Sequence, residues 1–190
     1  GIETVHSYMN HVQDNAEECI RNAIVNLREG KYEYELDNGE FIRVKITIDK
    51  IKREATIDFT GTAPKNPFNY NAPMAVCHAV ILYVFRTLVG SNIPLNEGCF
   101  KPLNIIIPNN SMINAKYPSA VIAGNTEVSQ LTCNALFGAL GIIAGSQATM
   151  NNFIWGNDKI QNYETICGGT GAGPNFHGTS AVQTCLVQGL

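Results

Sequence analysis

Apolar residues recur at three- and four-residue intervals through Ile2, Val5, Met9, Val12, Ala16, Cys19, Ala23 and Leu27, and Gly30 ends the run. That spacing predicts a long amphipathic helix over residues 1–30, with a stripe narrow enough to pack on one neighbour rather than enter a thick core. His6 and His11 are five apart, off the one-face spacing that a helical metal pair needs, and read as solvated. From Lys31 the period becomes two. Tyr32, Tyr34 and Leu36 alternate with charged residues, and Asp37-Asn38-Gly39-Glu40 is a strong hairpin signal. Phe41, Val44, Ile46 and Ile48 continue as a second strand; after the charged stretch Asp49 to Glu54, Ala55, Ile57 and Phe59 make a third that ends at Gly61. Connections this short predict a three-stranded antiparallel meander over residues 31–61.

Residues 62–190 read as a further α+β region. Thr62 to Asn71 is a proline-bearing linker, and Pro73 opens a helix that is apolar nearly all round to Leu88, which predicts a central position for it. Its exceptions are His78, expected to be a hydrogen-bonded core residue, and Arg86, expected to anchor a buried edge. Leu103 to Pro108 reads as a short buried strand. Gly124-Asn125-Thr126-Glu127 precedes an apolar face at helical spacing, Val128, Leu131, Ala135, Leu136, Ala139, Leu140 and Ile143. Asn125 or Thr126 suits an N-cap and Glu127 the positive end of the helix, although the same terminus could serve an anion. Gln147 to Asn152 has no period, and its amides and hydroxyls can satisfy their own backbone or hydrogen-bond a polar substrate. Phe153 to Asn157 reads as strand and turn. The expected class is α+β: a long N-terminal helix, an antiparallel meander, and two apolar helices packed on mixed short strands.

Composition narrows the function more than the fold. A charged fraction of 15%, a net charge of −3 and no Lys/Arg run argue against nucleic acid as a partner. The longest apolar run, Ala79 to Phe85, is too short to span a bilayer. The six cysteines form no CxxC, and three fall in helical apolar runs, so reduced thiols in the cytoplasm are expected. The chain starts without Met in a helical pattern and stops without a terminating signal, and reads as a piece of a longer polypeptide.

Chemistry concentrates where a short apolar strand, Tyr163 to Cys167, runs into a loop with five glycines in residues 168–178. Glycines permit positive φ and close approach to a ligand or another chain. Glu164 and His177 stand at the two ends, a carboxylate and an imidazole fit for proton transfer; the plainer reading is a surface loop with Glu164 solvated. No GK[ST] ending marks a phosphate cradle, and Pro174 interrupts any helix that would follow.

Six blocks, Thr56-Ile57-Asp58-Phe59-Thr60-Gly61-Thr62, Asn71-Ala72-Pro73, Ile93-Pro94-Leu95-Asn96-Glu97-Gly98-Cys99, Gly124-Asn125-Thr126-Glu127-Val128-Ser129-Gln130, Ala148-Thr149-Met150-Asn151-Asn152 and Tyr163-Glu164-Thr165-Ile166, occur in an order and spacing that resembles the hydantoinase B/oxoprolinase family. The glycine loop is most similar to the 5-oxoprolinase type. The resemblance implies a central fragment of the B subunit, or B half, of an ATP-dependent hydrolase that opens cyclic amides such as hydantoins or 5-oxoproline. ATP and Mg would be handled by a hydantoinase A-type subunit or domain, any divalent metal would lie upstream of Gly1, and this fragment would hold no metal and be inactive alone. Catalysis would fall to Glu164 and His177; Asn125, Glu127, Asn151, Asn152, Tyr163, Gly168, Gly169 and Gly171 would shape the substrate pocket. After Val182 the chain departs from the family pattern, with Gln183 and Cys185 where histidines are expected. The competing reading is a scaffold that holds the A-type partner while the chemistry lies elsewhere. An oligomer is expected under both.

Overall fold

A computed structural model describes residues 1–150 and 152–182; Asn151 and residues 183–190, with the divergent end, lie outside the described residues. The helix α1 spans Ile2–Ile24. Strands β1 (Gly30–Glu35), β2 (Phe41–Asp49) and β3 (Glu54–Asp58) follow as the expected antiparallel meander. The helix α2 (Met74–Thr87) then leads through a 3-10 turn at Glu97–Phe100 to β4 (Leu103–Ile106). Strand β4 pairs in parallel with β3, so the sheet order is β1-β2-β3-β4. A π-helical turn, Gly124–Val128, runs into α3 (Ser129–Leu140), which Gly141 ends at φ 65°. The remaining strands form two small ribbons: β5 (Asn152–Gly156) with β6 (Gln161–Thr165), and β7 (Gly168–Gly169) with β8 (Ser180–Val182). The α+β class holds.

The core is built on strand alternation. Ile42, Val44 and Ile46 of β2, with Ala55, Ile57 and Phe59 of and after β3, turn to one face and are buried. Helix α3 packs that face over β1 and β2, and α2 packs on α3. At β1 the fit is close: a methyl on Gly138 would strike the Tyr32 ring. Burying the apolar side chains of this face stabilises the fold by about 1.5–3 kcal/mol for each large residue.

Four expectations change. Helix α1 stops at Ile24, and only its second half is packed, through Ala16, Ile20 and Ile24. Ile2, Val5, Met9 and Val12 leave their stripe exposed, because the 3-10 turn meets the helix at Gln13 and Asp14 and the buried residues of the helix begin at Ala16. Ion pairs hold that packed half: Lys101 reaches Asp14 at 3.1 Å and Glu17 at 3.2 Å, and Glu17 meets Arg21 at 2.8 Å. The central helix is α3, not α2. Met74, Ala75 and Ala79 of α2 are exposed, whereas ten of the twelve residues of α3 are buried. Its polar side chains tolerate burial by bonding carbonyls one turn back: Ser129 to Asn125, Gln130 to Thr126 and Thr132 to Val128. Asn125 and Thr126 are therefore not N-caps; no side chain caps α3, and the helix is entered through the π turn. Strand β4 is half-exposed at the sheet edge rather than buried.

Of the two polar exceptions in α2, Arg86 is as expected and His78 is not. Arg86 donates to the Ile93 carbonyl through Nε at 3.2 Å and Nη2 at 2.7 Å. His78 is half-buried with its ring 5.9 Å from that of Phe100, a ring contact where a hydrogen bond was expected. Cys19, Cys77, Cys99, Cys133 and Cys167 form no disulfide, and burial pushes the Cys77 thiol up to about 12, as suits a small apolar filler.

Candidate functional site

The linker between sheet and helices is fixed by an amide knot. Asn71 is fully buried; its Nδ2 donates to the carbonyls of Asn66 (3.0 Å), Phe68 (2.8 Å) and Ala120 (3.0 Å), and its Oδ1 accepts from Asn66 N–H at 2.9 Å. This knot sets Tyr70 against the turn of the first hairpin. Between them opens a cleft of about 470 Å³, lined by Tyr34 to Asn38, Tyr70, Glu127, Leu131 and Gln147 to Thr149.

Glu127 comes from the π turn and Thr149 from the aperiodic segment, and the Thr149 hydroxyl donates to Glu127 Oε1 at 2.5 Å. Two segments that are 22 residues apart are thus joined by a charge-assisted hydrogen bond at the cleft wall. The approach to Thr149 passes through Ala148, which is buried at 2% exposure with φ 59°. A non-glycine residue held in the left-handed region costs about 1 kcal/mol or more, so the surrounding contacts must impose it.

A second hollow of about 330 Å³ adjoins the first at Tyr34 and is floored by Asn134, Gly138 and the 141–145 turn. The glycine loop forms its far wall with Ala172, Gly173 and Pro174. None of the loop's glycines lies in the left-handed region; among the described residues the positive-φ glycines are Gly39, Gly61 and Gly141. Close approach is what the loop requires of them. A Cβ on Gly171 would overlap the Ala144 carbonyl, beside the hydrogen bond from Ala144 N–H to the Ala172 carbonyl at 2.8 Å. A Cβ on Gly169 would stand 2.9 Å from the Thr179 carbonyl.

The candidate residues fall into separate groups. Glu127 lines the cleft, and Gly171 holds the loop beside it. Asn125 is exposed on the π turn. Gly168 is buried and pairs with Val182, and Gly169 pairs with Ser180. Asn152, Tyr163 and Glu164 belong to the β5–β6 hairpin: Asn152 Oδ1 accepts from Thr165 Oγ1 at 3.1 Å, Tyr163 opposes Ile154 and Glu164 opposes Phe153. Glu164 and His177 are exposed and line neither hollow. Asn151 is outside the described residues. Sequence reasoning missed Thr149, Tyr34 and Asn134 as parts of this place; the block around Thr149 was in view, but its partner across the cleft was not. A larger groove of about 870 Å³, along Leu27 to Glu29, the β2–β3 turn and Asn104, carries none of the candidate residues.

The same residues can be compared with known proteins. The sequence profile of hydantoinase B/oxoprolinase matches residues 1–190. The chain belongs to this family. Within it, the 5-oxoprolinase of Dictyostelium discoideum is 39% identical over 197 residues, covering 98% of this chain and 16% of that protein. The 5-oxoprolinase 1 of Arabidopsis thaliana is 42% identical over 202 residues, covering 96% and 16%. The chain thus spans about 16% of the length of these relatives. Among solved structures, the ATP-dependent caprolactamase from Pseudomonas jessenii superposes with a TM-score of 0.69 at 19% identity, over 95% of this chain and 35% of that one, which establishes a shared fold. For the hydantoinase B/oxoprolinase chain described here, no group of His, Cys, Asp and Glu among the described residues could hold a metal ion, and no helix among them is long and apolar enough to cross a membrane.

Proposed function

We propose that this chain is the central part of a cytoplasmic ATP-dependent hydrolase of cyclic amides, of the 5-oxoprolinase or N-methylhydantoinase type, inactive when alone. The observation that carries the reading is the joining of two family blocks, through Glu127 and Thr149, at the wall of a cleft of about 470 Å³, a size suited to a small ring. Relatives named 5-oxoprolinase at 39% and 42% identity support the reaction class.

ATP and its Mg are assigned to a hydantoinase A-type subunit or domain, and any further divalent metal to sequence outside this chain. Phosphorylation of the amide oxygen there would activate the ring carbon to water; the adduct would then break its C–N bond, the ring nitrogen leaving with a proton, and hydrolysis of the resulting acyl phosphate would release the carboxylate and phosphate. What this chain supplies is orientation and shelter. Glu127 accepts a ring N–H while Thr149 fixes its carboxylate, and Tyr34, Tyr70 and Leu131 exclude water from one side. Asn125, Asn152 and Tyr163, with Gly168, Gly169 and Gly171, are assigned to the pocket edge, and Glu164 and His177 to proton transfer, once the rest of the polypeptide closes over the hairpin and loop.

A second reading has its own observation. Phe153, Ile154, Trp155 and Tyr163 are exposed on a two-stranded hairpin, which is marginal in water without a covering. On this reading the hairpin holds the A-type partner, and Glu164 serves assembly. The test is 5-oxoproline-dependent ATP hydrolysis by the full-length polypeptide with its A-type partner, with gel filtration of each variant. The first reading expects Glu164→Gln to assemble normally and turn over at least about a hundredfold more slowly, the lower end of what a proton-transfer group contributes. Normal turnover per complex with weakened assembly would move Glu164 to the interface. Absence of any cyclic-amide stimulation of ATP hydrolysis would overturn the functional reading.

A further inference from the structure

Asn134 lies in the middle of α3 and is 4% exposed. Its polar contacts all go to one residue outside the helix. Nδ2 donates to the Ser146 carbonyl at 3.1 Å, and Oδ1 accepts from Ser146 N–H at 3.0 Å and from its hydroxyl at 3.3 Å. The side chain thus pairs with both backbone groups of Ser146, as a neighbouring strand would. Asparagine is a poor helix former, and a buried amide is costly unless bonded, so neither propensity nor apolar packing accounts for it.

Ser146 is the midpoint between the two features of the site. On one side, Gly145 passes close to the Asn134 amide, where a Cβ would stand 3.3 Å from it, and Ala144 N–H donates to the Ala172 carbonyl in the glycine loop. On the other, Ser146 Oγ accepts from Ala148 N–H at 3.3 Å; Ala148 takes its left-handed conformation, and Thr149 then reaches Glu127. One buried amide therefore sets a segment whose ends hold the glycine loop and the carboxylate of the cleft.

We propose that Asn134 is the positioning residue of the site, clamping Ser146 so that the glycine loop and the Thr149–Glu127 pair are held in register. The inference rests on the functional reading above for its kinetic arm and on geometry alone for its second arm. In the first arm, Asn134→Ala, Thr149→Ala and the double variant are compared in the full-length enzyme with its partner for cyclic-amide-dependent ATP hydrolysis. Because Asn134 acts through Thr149, each single variant is expected to lower kcat/KM for the cyclic amide about tenfold, with KM for ATP unchanged, and the double variant to lose no more than Asn134→Ala alone. A double variant lower by the product of the single effects, or a silent Thr149→Ala, would overturn it.

In the second arm, amide hydrogen exchange is read on the same full-length protein. Asn134→Ala is expected to speed exchange at least tenfold in both 142–149 and 168–178, with the amides of α3 still protected. Acceleration confined to 142–149, or spread through α3 as a loss of fold, would overturn the coupling. Should Glu127→Gln leave turnover intact, the functional reading falls while the exchange result still decides the clamp. Should Glu127→Gln abolish turnover while the other two variants multiply, the clamp alone falls.

Discussion

Asn71→Ala removes an amide that is fully buried and satisfied on every side. Its two N–H groups serve three carbonyls, those of Asn66, Phe68 and Ala120, and its oxygen holds Asn66 N–H. Taking the two donors and one acceptor as three net hydrogen bonds at about 1 kcal/mol each gives about 3 kcal/mol, before any penalty for the stranded partners. That is a large share of a typical domain stability of about 5–15 kcal/mol. With a urea slope of about 2 kcal/mol/M, the midpoint should fall by about 1.5 M. Far-UV circular dichroism is the suitable probe, because the lone tryptophan, Trp155, sits exposed on the hairpin and reports little on the core. Asn71→Leu keeps the forked shape, adds bulk and loses every bond, and should be at least as damaging as alanine. A midpoint shift below about 0.3 M for alanine, or near-native stability for leucine, would refute the knot as the cause.

Three further outcomes follow from the same structure. Gly171→Ala should push the loop off the Ala144 carbonyl and break the 2.8 Å bond beside it, costing about 1–2 kcal/mol locally, read as faster exchange of the Ala144 amide; unchanged protection would contradict the close approach. Burial raises the Cys77 thiol from near 9 to about 12, so in that window the folded chain keeps a proton that the unfolded chain has released. The stability this represents is fully present below pH 9 and is lost as pH rises towards 12, by up to about 4 kcal/mol, and Cys77→Ala should flatten that alkaline slope in urea titrations. Native alkylation should modify exposed Cys167 well before buried Cys77, Cys99 and Cys133, which peptide mapping can read.

Much of the fold was written in local pattern. The Asp37 to Glu40 turn and the alternation of β2 and β3 needed only neighbours in sequence, and the meander formed where they placed it. The parallel pairing of β4 with β3 was hidden, because it brings Leu103 to Ala55 across a helix and two loops. The rank of the helices was also misread, for a reason internal to α3: its buried polar residues bond their own carbonyls or Ser146, so mean apolarity understates how central it is. The α1 stripe was visible but not its fate, since the spacing of Ile2 to Val12 is the same as that of the packed half and does not record that these positions are exposed. For the site, the blocks containing Glu127 and Thr149 stood out singly, while their hydrogen bond depends on the turn at Ala148 and the Asn134 clamp, both tertiary facts.

The central claim is that Glu127 binds the ring amide at the cleft, and it is met most directly by the full-length polypeptide with its A-type partner, assayed for 5-oxoproline-dependent ATP hydrolysis with wild type against Glu127→Gln. Loss of the carboxylate that accepts the ring N–H should lower kcat/KM for 5-oxoproline by about ten- to a hundredfold, the loss expected for a charged hydrogen bond of about 1.5–3 kcal/mol, with assembly and KM for ATP unchanged. Wild-type turnover in correctly assembled Glu127→Gln would show that the cleft is not where the cyclic amide is held.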